Sequence, residues 1–282
     1  MGSPAKKVLY IDLGKKTSHV KSDTELQKFI GGVGTGIKLL ADNFDTDPVI
    51  FSVGPLSGYF PYCSKTSVVT NDNGVIEDLY IGGSLSSRIK FTGMDSIVVH
   101  GKSPVPLTLD ITDESVVFRD TETELGSLGL PGKRSIMYYD AEERSFLVDK
   151  YFAPPESILE KKLLGKNLRN MVVTGSKTYS IKNPEKYGEI FSKLLKQTDM
   201  LSVEKGTNPS CTGCPMGCHR SKIGEIGGNV LTHSLVACTF AERIYSDIGT
   251  TFSCLSVLGY DYTHEDIENF PELIKKVLEG LG

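Results

Sequence analysis

The sequence predicts an α+β fold: a β-rich N-terminal base domain over residues 1–182, then a small helical domain over residues 183–282 that carries a cysteine motif. Three observations carry that prediction. Runs of β-branched residues, cut by glycine, proline and Asn/Asp pairs, dominate as far as residue 174. Apolar spacing of the helical kind takes over from residue 184. Within that second part, Cys211-Thr212-Gly213-Cys214-Pro215-Met216-Gly217-Cys218 crowds three of the six cysteines into eight residues.

In chain order, residues 7–13 (KVLYIDL) alternate as a strand, with a turn at Gly14-Lys15-Lys16 and a short second strand near 18–21. Asp23-Thr24 caps a helix through Phe29. The glycines at 31, 32, 34 and 36 follow a helix rather than a strand, and their spacing is not G-x-G-x-x-G. They are read as a close-packed turn rather than a dinucleotide site. From 48 to 120 the runs VIFSVGPL, KTSVVTND, DSIVVHG, LTLDIT and SVVFRD are strands, with one short helix over 84–93. A strand over 134–139, a helix from Pro154 to Leu164 and a strand over 170–174 follow. Residues 184–198, 231–246 and 252–258 are helical. A last helix opens on the capping signature Thr263-His264-Glu265-Asp266, with Ile267, Phe270, Ile274, Val277 and Leu278 on one face.

Composition narrows the function classes. With 31 basic against 35 acidic residues and no basic block, nucleic acid is not the expected partner. No apolar run approaches the roughly 18–20 residues needed to cross a bilayer, so no membrane association is expected. The N-terminus runs straight into a strand without a signal peptide, and six cysteines without an export signal point to the reducing cytoplasm. The five histidines have no telling neighbours, so no Ser-His-Asp or Cys-His arrangement can be argued; Glu142-Glu143 read as a solvated face.

The C-x2-C-x3-C run is different. Thiolates this close repel one another unless a metal or an iron–sulfur cluster sits between them. Gly213 and Gly217 let the backbone turn and Pro215 stiffens it. A [4Fe–4S] cluster is the expected occupant, with Cys211, Cys214 and Cys218 as ligands. Zinc, with His219 as a further ligand, and free or disulfide-bonded cysteines are the alternatives. The order of the spacing is the reverse of the C-x3-C-x2-C loop of radical enzymes that use S-adenosylmethionine.

Several segments together carry a family resemblance: KVLYIDL, FIGGVGTGIKLL, Gly54-Pro55-Leu56-Ser57-Gly58, the pair Gly82-Gly83 followed by KFTGMDSIVVHGKS, LLGKNLRNMVVTGSK and CTGCPMGC. In that order they resemble the tungsten-pterin aldehyde:ferredoxin oxidoreductases, over that family's N-terminal base domain and the beginning of its second domain. The resemblance implies a β-built base domain under a bis-pterin tungsten cofactor (tungstopterin, or molybdopterin in its place). It also implies a [4Fe–4S] cluster that passes electrons to ferredoxin or another redox protein, and Cys211, Cys214 and Cys218 as three cluster ligands. Gly82, Gly83 and Lys65 fall where the family meets its cofactor. The third domain, which gives the family its fourth cluster cysteine, lies outside the resemblance. A homo- or hetero-oligomer is therefore expected, with the aldehyde–carboxylate chemistry shared with a partner. The alternative is a non-catalytic scaffold or assembly subunit around a structural cluster or zinc.

Departures from the family pattern cluster at the pterin. Lys65 stands in place of an arginine and lacks its bidentate fork. Tyr80-Ile81 stand where an asparagine precedes the glycine pair, 155–164 reads as an ordinary helix, and 228–233 carries no carboxylate. For the fourth cluster ligand, Cys254 follows Asp247 and Gly249 in a motif comparable to one in the family, with a small core residue as its other reading. Cys238, in an apolar run, is expected in the core. Cys63, His219 and His233 remain outside candidates, and His100 is read as structural.

Overall fold

The computed structural model describes residues 5–113 and 115–281. Its elements are β1 (Lys6–Asp12), β2 (Thr17–Asp23), a 3-10 turn (Glu25–Phe29), α1 (Gly32–Asp42), β3 (Val49–Ser52), β4 (Thr66–Asp72), β5 (Val75–Ile81), α2 (Leu85–Phe91), β6 (Ser96–His100), β7 (Leu107–Thr112) and β8 (Ser115–Arg119). Then come β9 (Ser135–Asp140), β10 (Ser145–Val148), α3 (Ile158–Gly165), β11 (Leu168–Thr174), α4 (Pro184–Leu195), β12 (Glu225–Ile226), α5 (Val230–Ser234), α6 (Glu242–Tyr245), α7 (Ile248–Val257), α8 (His264–Glu268) and α9 (Phe270–Glu279).

The strands form two mixed sheets, one of seven in the order β12-β5-β4-β3-β6-β1-β2 and one of five in the order β10-β9-β11-β7-β8. Side chains alternate across a strand, so each residue of a central strand must choose a side. Val8, Ile50, Val69, Tyr80 and Val98 turn one way, into a core shared with α1 and the C-terminal helices. Leu9, Phe51, Val68, Leu79 and Ile97 turn the other way, into a core shared with the second sheet and with α2 and α3. The seven-stranded sheet is thus the middle layer, covered on both faces. That explains why β3 is buried at all four positions while β2, at the edge, alternates with solvent.

The α+β character and the β-rich N-terminal part are as the sequence indicates. α5 and α9 pack on α1, and β12 extends the seven-stranded sheet beside β5. Among the described residues no helix is long and apolar enough to cross a membrane.

Four local readings change. The glycine segment is no turn; it forms the first turns of α1. Glycine disfavours a helix, but packing overrides that preference here. A Cβ on Gly32 would stand 2.2 Å from the His233 carbonyl oxygen, at a φ of +44°. β5 and β10 are additional strands that the apolar runs did not mark. The helix expected from Pro154 begins only at Ile158. The last helix divides after Glu268, with Pro271 in the first turn of α9, where its missing N–H costs nothing. The cap at its start holds: Thr263 Oγ1 accepts from the Asp266 N–H, and Asp266 accepts from the Thr263 N–H at 2.7 Å.

Candidate metal centre

Between the 3-10 turn at Thr198–Met200 and β12 the chain has no regular element, and this stretch carries the cysteines. Backbone hydrogen bonds shape it instead. Gly206 and Asn208 donate to the carbonyls of Met216 and Gly217 at 2.8 and 3.0 Å, and Cys214 donates to Cys211 at 3.0 Å. Gly213 and Gly217 take the positive φ values, 77° and 49°, that such a turn requires.

The loop is docked on the glycine pair after β5. Thr212 N–H donates to the Gly83 carbonyl at 3.2 Å. A Cβ on Gly82 would lie 2.6 Å from Cys211 Sγ and 2.8 Å from the Phe152 ring. Gly82 is glycine because a sulfur occupies the space of its side chain.

Cys211, Cys214 and Cys218 line one cavity, together with Lys65, Arg220 and Cys238. Burial pushes the Cys214 thiol up to about 11, and its neighbours Cys211 and Cys218 add to that shift. Three thiols crowded onto one largely buried space are a poor arrangement for bare thiolates and a suitable one for a shared cationic centre. Among the described residues, no group of three or more His, Cys, Asp or Glu side chains is set to hold a single metal ion. A tetrahedral zinc would need its sulfurs within about 4 Å of one another, from a Zn–S bond of about 2.3 Å, whereas a four-iron cluster spreads its thiolates over separate irons. On its cysteine side the cavity brings three thiols of one loop to a shared space with two basic side chains on its wall, the donor chemistry that a four-iron cluster takes.

Lys65 forms the floor. It is 2 % exposed, and its Nζ lies 2.8 Å from Glu225 Oε1 on β12. Burial alone would strip the proton from such a lysine. The Glu225 carboxylate outweighs it, with Cys238 and Cys211 adding, so the ammonium is held well above its usual range. Burial would in turn raise Glu225, but Lys65 keeps it below the usual carboxylate range. Glu225 also accepts from Cys238 Sγ at 3.0 Å and from the Thr239 N–H at 2.9 Å. His233 Nε2 stands 3.9 Å from the same carboxylate. Burial, opposed by Glu225 and assisted by Lys65, draws His233 down to about 4, so its imidazole is neutral. Its ring lies 3.8 Å, centroid to centroid, from Tyr80.

The remaining sequence candidates are spread out. Cys254 is fully buried on α7 in the helical core, with Cys63 and Tyr245 in the same core, and it does not line the cysteine cavity. His219 is exposed, in a separate groove beside Met216. Cys238, expected in the core, packs against it and also lines the cavity. Glu225 is the residue that sequence reasoning missed. Glu225 stands on a two-residue strand whose pairing with β5 no local pattern announces.

The family model for the aldehyde ferredoxin oxidoreductase N-terminal domain matches residues 8–137. An aliphatic sulfonate oxidoreductase, WOR-like subunit, of Pyrococcus furiosus is 26% identical over 94% of this chain and 43% of its own length. A tungsten-containing aldehyde ferredoxin oxidoreductase of Pyrococcus horikoshii is 26% identical over 72% of this chain and 38% of its own. Its Pyrococcus furiosus counterpart is 29% identical over 58% and 32%. The chain thus spans less than half the length of these relatives. Among solved structures, the active site complex BamBC of benzoyl coenzyme A reductase, with 1,5-dienoyl-CoA, superimposes over 99% of this chain and 61% of its own. Its TM-score is 0.62 at 18% identity, a likeness that concerns the fold alone.

Proposed function

Because residues 8–137 make this chain a member of the aldehyde ferredoxin oxidoreductase family, we propose that it serves as the iron–sulfur electron-relay part of an oxidoreductase of that family. Cys211, Cys214 and Cys218 hold a [4Fe–4S] cluster in the cavity that they line together. When bound, the cluster stores and releases one electron at a time. Lys65 keeps a fixed positive charge at that cavity, and Gly82 leaves the room in which Cys211 turns toward it. The observation that carries this reading is the convergence of the three loop thiols with Lys65 on one space.

The side chains that resemblance would set against a pterin do not fit one. Lys65 is buried and committed to Glu225, so it has no free charge for a pterin phosphate. Beside Glu225, the Tyr80 and His233 rings pack against each other at a tilt of 43°. The aldehyde–carboxylate conversion is assigned to a partner that completes the assembly, and electrons pass from the cysteine loop to ferredoxin or a similar carrier. Two similar proteins are described by their names as a subunit and as a complex, which favours an assembly here as well.

The test is elemental analysis of anaerobically purified protein for iron, zinc, tungsten and molybdenum together. The expected result is iron with a broad thiolate-to-iron absorption and no stoichiometric tungsten or molybdenum. Colourless protein with one zinc per chain would replace this reading with the scaffold one.

A further inference from the structure

We propose that Cys238 supplies the fourth thiolate to the cluster; this rests on the cluster reading above and adds to it the completing ligand. Among the described residues, Cys238 is the one cysteine outside the 211–218 loop that lines the same cavity as Cys211, Cys214 and Cys218. A four-iron cluster takes four ligands, and the cavity presents four thiols. The three from the loop share one short segment, and Cys238 enters on a separate one.

Its position is fixed by the backbone. Cys238 N–H donates to the Tyr62 carbonyl at 2.8 Å, and Lys65 N–H donates to the Val236 carbonyl at 3.2 Å. Residues 62–65 and 236–238 therefore run side by side, which brings Cys238 and Lys65 to the cavity as a pair. Cys238 also accepts, through its own carbonyl, from the Ala241 N–H at 2.8 Å.

The surroundings can also handle the proton. The Cys238 thiol donates to Glu225 Oε1 at 3.0 Å, and Lys65 Nζ lies 2.8 Å from that same oxygen. On ligation the S–H bond would break, an S–Fe bond would form, and the proton would leave along the hydrogen bond that the thiol already makes to Glu225. Neither oxidant nor reductant is needed. The Lys65 ammonium remains to balance the new thiolate beside the carboxylate. Cys254 and Cys63 have no place on this cavity wall, and neither has a carboxylate partner of this kind.

The experiment is anaerobic reconstitution of the full chain with ferrous iron and sulfide, with iron counting and electron paramagnetic resonance on the wild type, Cys238→Ala, Cys238→Ser and Cys254→Ala. Wild type and Cys254→Ala are expected to hold about four irons and give the same reduced-cluster spectrum. Cys238→Ala is expected to drop to about three irons or fewer, with an oxidised three-iron signal. Cys238→Ser keeps the hydrogen bond to Glu225, so the fold is maintained, and it is expected to shift the spectrum and lose iron faster. An unchanged iron count and spectrum in a folded Cys238 variant would overturn the proposal, as would the same loss in Cys254→Ala. Wild type without iron would instead bring down the cluster reading itself.

Discussion

The Lys65 ammonium and the Glu225 carboxylate meet at 2.8 Å with both side chains buried, one just before β4 and the other on β12. A buried pair is costly to form and costlier to break on one side, because the survivor keeps its charge without water. Glu225→Gln is expected to lower stability by about 3–5 kcal/mol. Replacing both, with Lys65→Met and Glu225→Gln, is expected to cost less than Glu225→Gln alone. Chemical denaturation of the four species in a double-mutant cycle checks this; additive losses would mean that the two groups do not act as a pair.

His233 makes stability acid-sensitive. It is fully buried and neither ring nitrogen is hydrogen-bonded. Its pKa falls from 6.5 in the unfolded chain to about 4 in the folded one, because burial disfavours the imidazolium. Between these values the unfolded chain takes up a proton that the folded chain refuses. The stability is therefore fully present above pH 6.5 and declines by about 3 kcal/mol as the pH falls to 4. His233→Gln is expected to remove that slope in denaturation curves measured across the window.

Gly82→Ala tests the docking of the cysteine loop. The new methyl group would contact Cys211 Sγ at 2.6 Å and the Phe152 ring at 2.8 Å, so the loop must shift. The expected cost is about 1–3 kcal/mol. Iron retention after reconstitution is expected to fall in a protein that remains folded by circular dichroism.

Gly32→Ala tests the glycine-rich start of α1. Here the obstacle is backbone, the His233 carbonyl oxygen at 2.2 Å, and φ is +44° besides. A loss of about 3 kcal/mol is expected, seen as a fall in melting temperature. Gly188→Ala on α4, where nothing stands within 4 Å of the new Cβ, is expected to be neutral or stabilising.

What was legible in the sequence follows from range. Alternation along β1, β4 and β6 marks which residues turn to which core, since that pattern is local. The three loop cysteines were legible for the same reason, because their spacing is contained in eight residues. α1 was not, since its glycines obey the approach of the 233–234 backbone from the far end of the chain. Lys65 was visible as a cofactor-side residue, yet its role was hidden by a partner on a strand of two residues. Cys238 was hidden likewise: an apolar neighbourhood in sequence becomes a cavity wall only when residues 62–65 are laid beside it.

The two-residue strand β12 has a consequence for how such a centre is filled. It is the outermost strand of the sheet and pairs with β5 only at Glu225–Tyr80 and Ile226–Leu79. Short edges open far more often than covered central strands such as β3 and β6. Peeling β12 away would withdraw Glu225 and slacken the preceding cysteine loop, but only once the buried pair with Lys65 is given up. The scaffold can thus mature in two stages, a chain that folds first and a centre that is inserted afterwards through a short edge latched by that pair. Amide exchange would register this as rapid exchange in residues 202–226, silenced once iron and sulfide are installed.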